Sequence, residues 1–259
     1  MLGHMNRVQT TARASLAATA GLLLARAACE TLWPTRCAVC DEPGSVLCER
    51  CRRSLPFIDY WRACPRCGAP FGSTLCTECN PVMLGSLGRS SLPYGACRSA
   101  IEYGSDAARI VAAYKDRGER RLAESMASIM APLVPPEWLR RAGGDPAVAT
   151  FVPATRSALG RRGFDHAELL ATATAERLGI GVEPLLARPK SLDQRALGRK
   201  GRARNMIGRF SPLASARSPS RVLLLDDVCT TGATLADAAD ALGALGCNEV
   251  SCLTFARVW

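Results

Sequence analysis

The sequence predicts an α/β protein: a mostly parallel sheet flanked by helices, preceded by a small cysteine-rich module. Three observations carry this expectation. Residues 223–235 read as a buried strand, a carboxylate pair, a hydroxyl-rich loop and a helix start. Strand and helix patterns alternate from about residue 96 onward, which implies parallel pairing with right-handed crossovers. Eight of the 13 cysteines fall between Cys37 and Cys79 as four Cys-x-x-Cys pairs. At 259 residues the chain exceeds the usual single-domain size, which suits one large domain with an appendage.

The stretch 223–235 organises the rest. Val222, Leu223, Leu224 and Leu225 form a continuous apolar run, as expected of a parallel strand covered on both faces. Asp226 and Asp227 follow at once, where open α/β sheets keep their ligand crevice. Thr230, Thr231, Gly232 and Thr234 then supply hydroxyls and backbone amides ahead of a helical pattern, Leu235, Ala238, Ala239, Leu242 and Leu245. A glycine-bearing loop at a helix N-terminus is a ready anion site, because unpaired N–H groups and the dipole both favour phosphate.

The cysteines come as Cys37/Cys40, Cys48/Cys51, Cys64/Cys67 and Cys76/Cys79. Each pair can fold as a turn presenting two thiolates, and two turns complete a tetrahedral Cys₄ zinc site. The spacings suit two ribbons in series, with an interleaved pairing as the alternative. Metal ligation in a reducing compartment fits this spacing better than a secreted disulfide framework. Little apolar sequence separates the knuckles, so metal is the module's main source of folding energy. The remaining cysteines of the later strands, Cys97, Cys247 and Cys252, read as core residues, and Cys229 as loop packing.

Before this module, residues 11–32 read as an Ala-rich helix stopped by Pro34. The apolar run within it is too short for a bilayer span, and the expected location is the cytoplasm. Residues 34–80 are the cysteine module, 81–93 a Gly/Ser/Pro-rich linker, and 94–259 the main domain. Within the last, strands are expected near 96–103, 148–152, 221–225 and 250–255, with helices over 107–114, about 122–130, 164–178 and from 235. Residues 188–209 hold Arg188, Lys190, Arg195, Arg199, Lys200, Arg202, Arg204 and Arg209 against one acid, Asp193. Such a run reads as a charged loop or a mobile lid. The net charge of +10 calls for an anionic partner, a phosphorylated substrate or nucleic acid.

The pattern of apolar strand, two acids and Thr-Thr-Gly-x-Thr resembles the PRPP-binding motif of type I phosphoribosyltransferases. Further stations are similar to one branch, the competence-associated ComF family. These are the zinc-type cysteines after Leu32-Trp33-Pro34, then Tyr114-Lys115-Asp116-Arg117-Gly118, Val152-Pro153, and Arg162-Gly163-Phe164-Asp165-His166-Ala167. The basic segment Gln194-Arg195…Arg202…Asn205 is similar as well. The family carries Asn and Gln where this chain has Asp165 and His166. The resemblance spans about residues 32–257 and implies the type I phosphoribosyltransferase fold behind a double zinc ribbon.

The resemblance also implies roles. Asp226 and Asp227, the catalytic candidates, take the ribose hydroxyls of PRPP, and the strand must bend for both to reach one ligand. Thr230, Thr231, Gly232, Ala233 and Thr234 cradle the 5′-phosphate. Pro153, Ala154, Thr155 and Arg156 form the pyrophosphate loop, with Lys115 and Arg117 as further contacts. Arg195, Arg199, Lys200 and Arg202 belong to the basic lid, and Mg²⁺ accompanies PRPP. The function implied is transfer of ribose 5-phosphate to an unidentified nucleophile, linked to single-stranded DNA uptake and the competence machinery. A PRPP sensor without turnover and a single-strand binder are the alternatives. Against the latter, aromatics make up only 5% of the chain.

Overall fold

The computed structural model describes residues 34–86, 88–140, 144–189 and 208–259. The expected helix over 11–32 and the lid residues Arg195, Arg199, Lys200 and Arg202 lie outside the described residues. One compact unit ends at Cys51 and a second runs over Arg52–Trp259.

In the first unit, short turns bring the cysteines together. The Cys37 amide bonds to the Glu42 carbonyl and the Ala38 amide to the Val46 carbonyl, both at 2.9 Å. Arg36 and Pro43 form an antiparallel bridge, and helix α1 (Glu49–Arg53) carries Cys51.

The second unit contains the second set of cysteines and the sheet. The segment read as a linker holds a short helix, α2 (Pro81–Ser86). There follow β1 (Ala96–Glu102), α3 (Ser105–Lys115), α4 (Leu122–Met130), the 3₁₀ turn Ala131–Leu133 and α5 (Pro136–Leu139). Next come β2 (Val148–Phe151), α6 (Arg156–Arg162), α7 (His166–Leu178), β3 (Arg221–Cys229), α8 (Ala233–Leu245) and β4 (Glu249–Arg257). No helix among the described residues is long and apolar enough to cross a membrane.

The strands form one parallel sheet in the order β1-β4-β3-β2. Alternate β3 side chains serve two layers, because a strand points neighbours to opposite faces. Val222 and Leu224 join Leu235, Ala238, Ala239 and Leu242 of α8. Leu223 and Leu225 are fully buried as well, and the opposite layer is made by α4 and α7. Both outer strands are covered. Phe57 pairs with Ile101 of β1, and Val182 pairs with Ala149 of β2. Such cover removes the open ladder that an edge strand would present.

The topology places a ligand crevice. From β2 the chain steps outward to Val182 and then returns to the other side of β2 as β3. The order therefore reverses between β2 and β3. Open α/β sheets bind ligands at such a switch point, outside the carboxyl ends of the strands.

Candidate functional site

Two strand ends meet at this switch point. The last β2–β3 pair is Phe151 with Leu225, and the Val152 amide still bonds to the Leu225 carbonyl at 3.0 Å. Past it β2 has ended, while β3 stays paired with β4 as far as Cys229 opposite Arg257. The Asp227 amide faces the side that β2 has left. Asp226 fills the gap: its Oδ1 accepts from the Asp227 amide at 2.9 Å. This local curl turns the Asp226 carboxylate back toward its neighbour. Neighbouring acids thus converge although strand geometry would separate them.

Both acids are buried, Asp226 at 9% and Asp227 at 2% exposure. Burial, and then the Asp227 charge beside it, push the Asp226 carboxyl well above the ordinary carboxylate range. Lys115, the last residue of α3, sets its Nζ 2.6 Å from Asp227 Oδ2. Oδ2 is thus paired with a cation, and a carboxylate oxygen has a second lone pair for a further donor. Tyr114 explains why Lys115 reaches so far inward. Its buried hydroxyl donates to the His166 carbonyl at 2.6 Å, docking the end of α3 on the start of α7.

His166, given no role from the sequence, lies beside the acid pair. It opens α7, is 7% exposed, and groups with Asp226 and Asp227 so that one atom of each lies within 4.8 Å of the others. Arg162 Nη1 stands 3.3 Å from His166 Nδ1. A guanidinium only donates, so Nδ1 accepts and Nε2 carries the ring proton, 3.9 Å from Asp227 Oδ1. A metal-bound imidazole would need the reverse arrangement. His166 therefore turns an N–H toward the acid pair, at a distance too long for a direct hydrogen bond.

Burial lowers the His166 pKa to about 4 from 6.5. Between these values the unfolded chain takes up a proton that the folded chain refuses, so stability rises with pH across that window. His166→Gln keeps an N–H donor and removes the titration. In urea melts of the zinc-loaded protein from pH 4 to 6.5, the difference between wild type and variant is expected to change by up to ~3 kcal/mol. Parallel pH curves would show that His166 is not held neutral by burial.

Asp165 organises the loop after β2. Its Oδ1 caps α7 through the amides of Ala167 and Glu168, and its Oδ2 accepts from the Ala154 amide at 3.0 Å. Arg188 completes the staple, bonding to Asp165 Oδ2 and, at 3.3 Å, to the Ala154 carbonyl. A signal for this was present: Asp165 followed three residues later by Glu168 is an N-cap signature. Of the predicted pyrophosphate group, Pro153 and Ala154 are buried and Thr155 caps α6 through the Ala158 amide. Arg156 is exposed at the start of α6. Arg117 bonds to the Arg109 carbonyl at 3.5 Å, and Lys115 stands against Asp227.

The loop beyond β3 leads into α8. Thr230 and Thr231 are exposed; Gly232, Ala233 and Thr234 are half-buried. Gly232 is the N-cap, at φ +75°, and has no side chain to cap with; Thr231 Oγ1 accepts from the Ala233 amide at 3.4 Å. Such a φ is strained for any residue with a Cβ. The amides at a helix start are donors that suit an anion.

The cysteines form two separate sets, Cys37, Cys40, Cys48 and Cys51, then Cys64, Cys67, Cys76 and Cys79. Pairing is sequential, not interleaved. Sulfur separations of 3.7 Å for Cys40–Cys48, 3.6 Å for Cys64–Cys79 and 3.5 Å for Cys67–Cys76 suit one zinc each. Four Zn–S bonds of ~2.3 Å at tetrahedral angles put sulfurs about 3.8 Å apart. These are two structural zinc sites.

Residues 28–80 match the family described as a double zinc ribbon domain. Competence protein F of Haemophilus influenzae is 36% identical over 102 residues, which is 38% of this chain and 44% of that protein. The chain thus matches less than half the length of this curated relative. Two solved structures overlap the chain in part. The allosteric regulatory enzyme of purine biosynthesis does so at a TM-score of 0.35 and 18% identity, over 52% of this chain and 25% of that one. A hypoxanthine phosphoribosyltransferase of Staphylococcus aureus does so at 0.32 and 12%, over 54% and 74%. The four-stranded parallel sheet, flanked by helices, carries the acids, the loop and the helix start at its switch point. The double zinc ribbon before it and the partial match to Competence protein F support a ComF-family assignment.

Proposed function

We propose that the protein binds PRPP at the β2–β3 switch point and transfers its ribose 5-phosphate to a nucleophile, releasing pyrophosphate. The observation that carries this is the buried acid pair beside the glycine-bearing start of α8. Asp227 Oδ2 is a buried carboxylate oxygen facing the Lys115 ammonium at 2.6 Å, and its remaining lone pair suits a ribose hydroxyl. The Thr230–Thr234 loop supports 5′-phosphate binding, and Ala154, Thr155 and Arg156 lie after β2 for the leaving group. In the transfer, the bond from C1 to pyrophosphate breaks and a bond from C1 to the acceptor forms. Mg²⁺ would neutralise charge on the pyrophosphate; as an oxygen-seeking ion it fits a site whose ligating side chains are carboxylates. The Lys115 ammonium, 2.6 Å from Asp227 Oδ2, holds Asp227 in place before ligand arrives.

Titration calorimetry of the zinc-loaded chain with Mg²⁺-PRPP tests this reading. Binding is expected for wild type and at least ~100-fold weaker for Asp226→Asn/Asp227→Asn, the loss of both carboxyl groups from the site. No measurable heat with wild type would sink it. Pyrophosphate release on adding a candidate acceptor separates a transferase from a sensor.

Single-stranded nucleic-acid binding is favoured by a separate observation. Four of the exposed aromatics of the second unit, Tyr60, Trp61, Phe71 and Trp259, lie in two groups of contacts with arginines. Arg98 lies over Tyr60 at 4.8 Å and over Trp138 at 5.4 Å, and Tyr60 meets Trp61 at 4.6 Å. Arg62 lies over Phe71 at 4.8 Å, and Phe71 is 6.3 Å from Trp259. Trp61 is 76% and Trp259 54% exposed. Aromatic faces with interleaved cations suit unpaired bases. Oligothymidine is expected to quench tryptophan fluorescence, and Trp61→Ala/Phe71→Ala to weaken affinity about tenfold or more. Unquenched fluorescence at low salt would remove this reading.

A further inference from the structure

Arg257 is a buried charge that the proposed chemistry does not use. It closes β4 and is 2% exposed, among the largest fully buried side chains. A guanidinium stays charged at any working pH, so burial is costly unless partners surround it. Its partners come from two places. Nη1 donates to the Cys67 carbonyl at 2.9 Å and to Cys229 Sγ at 3.0 Å, and Nη2 lies 3.6 Å from Glu78 Oε2. Cys67 is one of the second zinc ligands, and Glu78 stands between Cys76 and Cys79. Cys229 ends β3, directly before Thr230, and is the register partner of Arg257. The Val258 amide also bonds to the Cys229 carbonyl, at 2.9 Å. A second contact seats the same ribbon on the sheet. Gly68 has φ +73°, and a Cβ there would meet the Cys97 carbonyl of β1 at 2.7 Å.

We propose that Arg257 ties the metal state of the second ribbon to the order of the phosphate loop. Loss of zinc from Cys64, Cys67, Cys76 and Cys79 then releases residues 230–234. Zinc fixes the turn from Cys64 to Cys67, whose carbonyl faces Arg257. With the ion bound, four thiolates and Zn²⁺ carry net negative charge, which suits a neighbouring guanidinium. Without the ion that turn keeps only its backbone bonds, from the Gly68 amide to the Cys64 carbonyl and from the Cys64 amide to the Ala69 carbonyl, both at 2.8 Å. Four uncompensated thiols in place of a fixed centre loosen the hold of Cys67 and Glu78 on Arg257. Relief comes from moving Arg257 toward solvent, and the ends of β4 and β3 move with it. The loop's role as a phosphate cradle rests on the function proposed above; the coupling itself does not.

The test reads amide exchange by mass spectrometry while a chelator withdraws metal from the full zinc-loaded chain, with zinc counted in the same samples. Peptides covering 226–234 and 255–258 are expected to exchange about tenfold faster once the second site empties, while those of α7 keep their rate. Unchanged exchange at 226–234 after both zincs have left would overturn the proposal. Cys229→Ala cuts the link without touching a zinc ligand. It is expected to retain both zincs, to show a faster-exchanging loop from the outset, and to lose the response to chelator. A wild-type response in this variant would also overturn the proposal. By reciprocity, a ligand that orders the loop must raise the zinc affinity of the second site. Should calorimetry find no PRPP binding, the proposed function falls, while the exchange result, read without ligand, still decides the coupling.

Discussion

Replacing Cys37 and Cys40 together by serine is expected to remove one of two zincs and to leave residues 35–51 without a fixed structure. In the first unit, Val39 and Leu47 are the buried aliphatic side chains among the described residues. Each contributes roughly 1.5–3 kcal/mol on burial, whereas ordering the backbone costs roughly 1–2 kcal/mol per residue. Apolar burial therefore cannot hold this segment. A structural zinc contributes about 10–16 kcal/mol in small modules, and this is what the segment lacks when its ligands go. The Glu42 amide beside Cys40 holds that thiol down at about 6, which favours the ligating thiolate before metal arrives. Zinc content per chain and amide exchange over residues 35–51 check the expectation. Protected amides in a one-zinc variant would show that side-chain packing suffices.

The second large effect concerns Lys115. Its ammonium is the cation that faces Asp227 at salt-bridge distance, in a pocket where Asp226, Asp227 and His166 are all buried. Removing one member of a buried pair leaves the other charged without compensation, which costs roughly 3–5 kcal/mol. Lys115 retains 22% side-chain exposure, so Lys115→Met is expected near the lower end, about 3 kcal/mol. Adding Asp227→Asn removes the stranded charge and is expected to restore most of that loss. Denaturant melts of wild type, both single variants and the double variant close the cycle. Additive single effects would mean that the pair carries no coupling. The same logic predicts a conflict between stability and binding at Asp226. Its carboxyl is held above the ordinary range by burial and by Asp227, so the folded chain keeps a proton that the unfolded chain releases as pH rises past the usual carboxylate range. Stability from this group therefore falls as pH climbs.

Much of this architecture is legible in the sequence because it is written in local patterns. The run Val222–Leu225 is apolar without interruption, the Cys-x-x-Cys spacing is regular, and α8 repeats at helical period. What was not legible depends on contacts between distant segments. Lys115 looked like a leaving-group contact because it follows a helix in a family motif; Tyr114 bonding to the His166 carbonyl carries it to the acids instead. His166 looked structural, and its place opposite Asp227 follows from the packing of α7 against β2 and β3. Arg188 read as part of a basic run, yet it staples Asp165 to the loop after β2. Helices α5 and α6 span four and seven residues, too short for periodicity to mark them. Sparse aromatics argued against nucleic acid, but scarcity in composition says nothing about clustering in space.

The position of the crevice between β2 and β3 has a consequence for biogenesis. Its two walls come from segments far apart in the chain, with Ala154 on one side and Asp227 on the other. A polypeptide emerging from the ribosome presents the first wall long before the second exists. Until residues 221–229 have been made and inserted between β2 and the later β4, no fragment owns both the loop after β2 and the acid pair. Distant pairings of this kind form slowly. A half-synthesised chain thus has no crevice, and the crevice forms only with the whole sheet.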